Sequence, residues 1–281
     1  MRNGFKFNNK HSSEFGITVR TKSRPIRPET KSVTVDLPCR DGVYDFSRAN
    51  PMGREYFYER VITVSISIMS QSLEVMQNKL SAVARWLTGE GELVFDDMPY
   101  TVWRGIISDE IIYLPEHAGK TAVLDISFRV QPFSTCVFSS EGPALDFAAS
   151  LDTNIPIGID VYLKGTVSGN GSADILNFGD RPVRPVIKIT GAAEDIIMSC
   201  GGKILSFSVS GNVTIDCENQ NVTDSGGYAA VSGEFFELQP GVNTVQVENS
   251  NTSPLDIEVS YSPQFIYAVD FAAIDWSVDN A

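Results

Sequence analysis

Short runs in which every second residue is apolar recur along the whole chain, and this rhythm limits what it can become. Residues 61–69 (VITVSISIM) and 122–130 (AVLDISFRV) alternate apolar with small or polar side chains. Successive side chains on a strand point to opposite faces, so such runs describe half-buried strands. Shorter alternations follow at residues 183–189, 204–209, 213–215, 244–247 and 257–261, separated by turn clusters such as Gly169-Asn170-Gly171 and Cys200-Gly201-Gly202. Only residues 73–87 show helical spacing, with Leu73, Met76, Leu80, Val83 and Leu87 three and four apart. Ser72 can cap that helix and Gly89 can end it. The pattern predicts a mainly β protein: a β-rich first domain with one helix, followed by a β-sandwich of jelly-roll type.

Charge divides the chain in the same place. Residues 1–135 carry 17 Lys and Arg against 16 Asp and Glu, whereas residues 136–281 carry 5 against 19. Such asymmetry points to two modules facing different surroundings, and an acidic, Lys-poor second module is a poor partner for nucleic acid. The expected division is a first domain over 1–135, a sandwich over 136–262 and a C-terminal segment over 263–281. That last segment carries Phe265, Ile266, Tyr267, Phe271, Ile274 and Trp276, more large apolar groups than a free terminus bears. It is expected to dock back on the first domain or on a neighbouring copy. The Arg-, Lys- and Pro-rich residues 20–31 read as an exposed arm or loop. No apolar run reaches the ~20 residues of a membrane helix and no signal core follows the first basic residues, so a soluble product made in the cytoplasm is expected. Cys39, Cys136, Cys200 and Cys217 lie far apart without a C-x-x-C pair and read as buried thiols.

The sequence offers little for catalysis. His11 and His117 are the two histidines, and neither sits in a recognisable motif. Adjacent acids at Asp96-Asp97, Asp109-Glu110 and Glu194-Asp195 raise a glycosidase pair, but neighbours on a strand point apart, and Asp96-Asp97 reads as a turn. The run from Gly165 to Gly171 lacks the Gly-Lys-Ser/Thr ending of a phosphate loop and reads as a hairpin. A non-enzymatic protein without cofactor or metal is therefore expected. Exposed aromatics could stack on sugars, and Tyr228 and Tyr162 head the candidates, with Phe235, Phe236 and Tyr261 beside them; in each case packing in the sandwich core is the commoner use of such a residue.

Several motifs remain in a fixed order. They are Leu37-Pro38-Cys39-Arg40-Asp41-Gly42, the single helix, and Gly91-Glu92-Leu93-Val94-Phe95-Asp96-Asp97-Met98-Pro99 in the first half. In the second half they are the run from Asn177 through Gly179, Asp180, Pro182 and Pro185 to Ile187, and the run from Gly233 through Pro240 and Gly241 to Asn243. In order and spacing the chain resembles the distal tail proteins of long non-contractile phage tails, except that Cys39 stands where that family usually has glycine. The resemblance implies a structural protein of the virion tail. Its first domain would form a homo-hexameric ring below the tail tube protein, and its second, galectin-like or carbohydrate-module-like domain would project outward. A tail-tip, tail-lysin or receptor-binding protein would follow the ring. The alternative is a carbohydrate-binding module for host cell-wall sugars, and a wall hydrolase using Asp96, Asp97, Glu194 or Asp195 is a third reading.

Overall fold

The computed structural model describes residues 3–39, 41–50, 53–137, 162–249 and 253–269. Two compact units emerge: one holds the described residues up to Ser134 together with Ile266–Ala268, and the other holds those from Thr135 to Phe265 together with Val269.

The first unit contains β1 (Phe5–Phe7), β2 (Lys10–His11), β3 (Ile17–Ser23), β4 (Thr34–Asp36), β5 (Val43–Asp45), β6 (Arg60–Met69), helix α1 (Leu73–Trp86), β7 (Glu90–Phe95), β8 (Met98–Ile107), β9 (Leu114–Glu116) and β10 (Thr121–Val130). Seven of these form an antiparallel path in the order β2-β1-β7-β8-β10-β6-β3, with β9 on β10 and a separate ribbon of β4 and β5. The long central pairing, β6 with β10, runs from Arg60↔Val130 to Met69↔Thr121 without a break. Alternation explains it: Ile62, Val64, Ile66 and Ile68 are all buried, as are Leu124, Ile126 and Phe128 opposite them.

Ser72 caps α1 by accepting a hydrogen bond from the Val75 amide at 3.3 Å. Met76, Val83 and Leu87 are buried as their spacing predicts, whereas Leu73 in the first turn is 51% exposed. The main anchor is Trp86, whose ring stacks on Phe5 at 5.5 Å and on Phe15 at 4.3 Å. Residues 20–31 are not wholly an arm: β3 continues to Ser23, and Lys22 and Arg24 lie over the Phe95 ring at 5.2 and 5.0 Å. Their charged heads lie over an aromatic face and also reach the Asp97 carboxylate, so charge there does not mean solvation.

β11 (Ser134–Cys136) leads into the second unit. Its strands are β12 (Tyr162–Ser168), β13 (Gly171–Asn177), β14 (Val186–Cys200), β15 (Lys203–Asp216), β16 (Asn221–Asp224), β17 (Gly227–Tyr228), β18 (Val231–Gly233), β19 (Gly241–Asn249), β20 (Pro254–Ser260) and β21 (Gln264–Phe265). The long β14–β15 hairpin organises them. Near Val186–Thr190 it pairs with β20 and, across β15, with β16. Past a register shift between Ala193 and Ile196 it pairs instead with β19 and β18. A bulged hairpin with Gly191 opposite Gly211 thus passes from one strand group to the other, which is how a strand turns the corner of a layered β unit. Buried Ile187, Ile196, Met198, Leu205, Phe207, Val245 and Val259 line its inner side.

Of the cysteines, Cys136, Cys200 and Cys217 are buried, but Cys39 is exposed. Cys39 also has φ +63°, in the left-handed region that favours glycine and that a cysteine rarely adopts. Phe271, Ile274 and Trp276 lie outside the described residues.

Candidate functional site

The motif residues of the second unit meet one another. Asn177 is buried, and its amide donates to the carbonyls of Arg181 at 2.9 Å and Leu238 at 3.0 Å while accepting from the Gly179 amide at 3.0 Å. Val183 and Leu238 exchange two backbone hydrogen bonds, and Arg184 reaches Glu237 at 3.1 Å. A Cβ on Gly179 would lie 2.7 Å from the Gln264 carbonyl oxygen, and the Asp180 amide donates to that same oxygen at 2.9 Å. Gly179 and Asp180 are therefore held against β21, while Pro182 and Pro185 belong to the loop that leads into β14. In the Pro240-Gly241 turn, Gly241 has φ +93°, and Asn243 accepts from the Gln239 amide at 2.8 Å while donating to the Gln239 and Gly241 carbonyls. These motifs fasten backbone to backbone, a structural use rather than a chemical one.

The acidic pair of the first unit does similar work at the two-residue turn between β7 and β8, with Pro99 just inside β8. Asp96 holds the His11 Nε2 at 3.0 Å, and His11 Nδ1 accepts from the Ser13 amide at 3.2 Å. That Ser13–His11–Asp96 chain has the look of a proton relay, but it caps the short 3-10 turn Ser12–Phe15, with Glu14 returning a bond to the His11 amide at 2.9 Å. Asp97 is gripped by Lys22 at 3.1 Å and by Arg24 at 2.8 Å. Asp96 and Asp97 do stand in the turn that the sequence predicts, but their side chains meet partners more than seventy residues away.

Burial alone would raise the Asp97 carboxyl, but hydrogen bonds from Arg24 and Lys22 outweigh it and hold the group below the usual carboxylate range. The folded state then releases this proton more readily than the unfolded chain. The contact stabilises in full above about pH 4, and its contribution is lost as pH falls through the depressed value. Between about pH 6 and pH 3 the melting temperature should fall more steeply for the wild type than for Asp97→Asn, and equal slopes would show that the contact is silent.

Glu194 and Asp195 sit at the β14 bulge, in the other unit from Asp96 and Asp97, and Asp195 has φ +55°. His117 is exposed in the turn between β9 and β10. Burial pushes the Cys217 thiol up to about 12 and raises Cys200 as well, so both stay protonated and inert at neutral pH. No group of three or more His, Cys, Asp or Glu suited to a metal exists among the described residues, and no helix among them is long and apolar enough to cross a membrane.

Among the sugar-stacking candidates, Phe236 and Tyr261 are core residues and Phe235 is half-buried, whereas Tyr228 is 85% exposed. The Tyr162 side chain lies outside the described residues. Asp41 and Gly42 occupy the tip of the β4–β5 ribbon. That ribbon and the chain around it display Ile26, Val33, Val35, Val43, Phe46 and Tyr58 to solvent, all more than 40% exposed. The turn is legible in the sequence but this apolar surface is not, because a short alternating strand gives no sign of whether its apolar face meets its own core.

The chain thus forms two β-rich units whose sequence motifs hold backbone segments together. The family model for the phage tail protein RIFT-related domain matches residues 10–130, and that for the siphovirus-type tail component C-terminal domain matches residues 178–265. Together these take in most of the chain, which belongs to the siphophage distal tail protein family. Among solved structures, the Dit protein of phage SPP1, described as a paradigm of the hub adsorption apparatus in phages infecting Gram-positive bacteria, shares the fold. Its TM-score is 0.64 at 13% identity, covering 92% of this chain and 98% of that one. The phage P2 baseplate in its activated conformation with calcium gives a TM-score of 0.38 at 10% identity, covering 96% of this chain and 100% of that one, too low to carry an argument. Comparison with curated proteins gives no match.

Proposed function

We propose that this phage tail component is a non-enzymatic hub whose first unit closes into a ring of six copies, joining the tail tube to the tail-tip or receptor-binding proteins. The β4–β5 ribbon carries the reading. A two-stranded ribbon is marginal by itself in water, and this one turns Val33, Val35, Val43 and Phe46 outward. An apolar surface of that kind on a tail component is suited to burial against the next copy. The near-neutral first half also has charges of both signs to match across such an interface. The strongly acidic second half is suited to protein contacts at the virion tail rather than to nucleic acid.

Native mass spectrometry should find a hexamer, or a monomer that assembles as concentration rises. The double variant Val35→Lys/Val43→Lys should abolish the assembly while leaving the melting temperature of the subunit nearly unchanged, since neither residue belongs to the buried core. A wild-type monomer at every concentration would overturn the ring.

A further inference from the structure

We propose that the outer face of the second unit carries a saccharide-binding groove that accepts a neutral, hydroxyl-rich glycan and turns away anionic wall polymers. The proposal stands independently of the ring, because every residue in it belongs to the second unit.

The bend of the β14–β15 hairpin opens a groove of about 1080 Å³ on its outer side. Alternation along β15 buries Phe207 and Val209 and turns Ser206, Ser208 and Ser210 outward onto one face. Ser232 of β18 stands opposite Ser206 in register, extending that strip of hydroxyls sideways. The β14 bulge brings Glu194 and Asp195 to one side, both exposed. On the other side the chain crosses from β16 to β18, and Tyr228 stands there at 85% exposure, flanked by Gly227 and Ala229. Asp224 fixes that crossing by accepting the Gly226 amide at 2.7 Å.

An exposed tyrosine alone is ordinary. What distinguishes Tyr228 is its setting, an unencumbered ring at the lip of a groove floored by hydroxyls and edged by carboxylates. Sugars present an apolar C–H face for an aromatic ring and a rim of O–H donors for carboxylate and serine oxygens, and these three kinds of group converge here. Charge narrows the choice further. The groove is lined by Glu194, Asp195 and Asp224, and none of its described lining residues is Lys, Arg or His. A phosphodiester polymer or a uronate chain would find repulsion within a Debye length and no cation to pair with.

The test uses the full-length protein on an array of neutral hexose and N-acetylhexosamine oligosaccharides, with poly(glycerol phosphate) as the anionic probe. Wild-type protein should bind at least one neutral oligosaccharide. Tyr228→Ala should weaken that binding at least tenfold, and Glu194→Gln combined with Asp195→Asn should weaken it several-fold. Melting temperature should not change in either variant, since all three side chains are exposed. Failure to bind any neutral oligosaccharide, binding indifferent to Tyr228→Ala, or preference for poly(glycerol phosphate) overturns the proposal.

Discussion

Trp86→Ala should destabilise the first unit by about 3–5 kcal/mol, a large part of what holds a domain folded. Few side chains in that unit join as many elements. The indole is 5% exposed and lies nearly parallel to two rings, Phe5 of β1 at 16° and Phe15 of the 3-10 turn at 10°. Its Nε1–H donates to the Phe7 carbonyl at 2.9 Å, fastening the end of α1 to a sheet strand. Truncation removes a large apolar surface, leaves a cavity between two aromatic rings and strands a buried carbonyl. Trp86→Phe separates these effects: it keeps most of the stacking and loses the hydrogen bond, so a cost of about 1–2 kcal/mol is expected. Denaturant midpoints with unchanged slopes would measure both, and an alanine variant within about 1 kcal/mol of the wild type would show that α1 is held by Met76 and Val83 alone.

Much of this architecture is legible in the sequence, for a local reason. β6 and β10 are half-buried along their whole length, so burial writes a period of two into both, and α1 writes its period of 3.6 in the same way. What the sequence conceals is set by distant partners. The alternation of β14 breaks at Gly191 and at Glu194-Asp195, which marks a bulge, but nothing local reveals that the strand changes neighbours there from β20 to β19. Lys22 and Arg24 read as solvated because charge usually is, yet Phe95 and Asp97, more than seventy residues on, hold them in place. The candidate sites divide along the same line. Gly179, Pro240 and Gly241 are visible as turn residues because turn chemistry is local. Among the aromatics, Tyr228 and Phe236 differ in sequence setting by little, and only the fold puts one at the lip of a groove and the other in the core.

Arg60 shows how far such hidden partners can reach. It heads β6 on the same side as Ile62 and Val64 and is only 2% exposed, an unusual place for a charge. No carboxylate of the described residues forms an ion pair with it within the first unit; backbone carbonyls meet it instead. Its Nε donates to Pro132 at 2.8 Å, one Nη to Pro25 at 3.1 Å and the other to Ile266, while the guanidinium lies 4.9 Å above the Trp103 ring. Burial draws its pKa down to about 10, so it remains charged at neutral pH. Three chain segments, near residues 25, 132 and 266, thus converge on one fork of donors.

Replacing Arg60 by Met keeps an apolar stem of similar length and removes only that fork. Hydrogen bonds to a charged donor contribute ~1.5–3 kcal/mol each, and water can replace part of the loss at the three carbonyls, so a cost of about 3 kcal/mol is expected. Arg60→Lys should recover less than half of it, because one ammonium cannot span three carbonyls as a planar fork does. The loss should also be uneven. Ser134 still donates to the Tyr267 carbonyl at 2.7 Å, and the Tyr267 ring still packs 6.4 Å from Trp103, so residues 266–268 should loosen rather than detach. Hydrogen exchange at 266–268 should quicken well before the β6 and β10 amides respond. If the Met variant keeps both its denaturant midpoint and its slow exchange at these residues, Arg60 is not what holds the returning chain to the first unit.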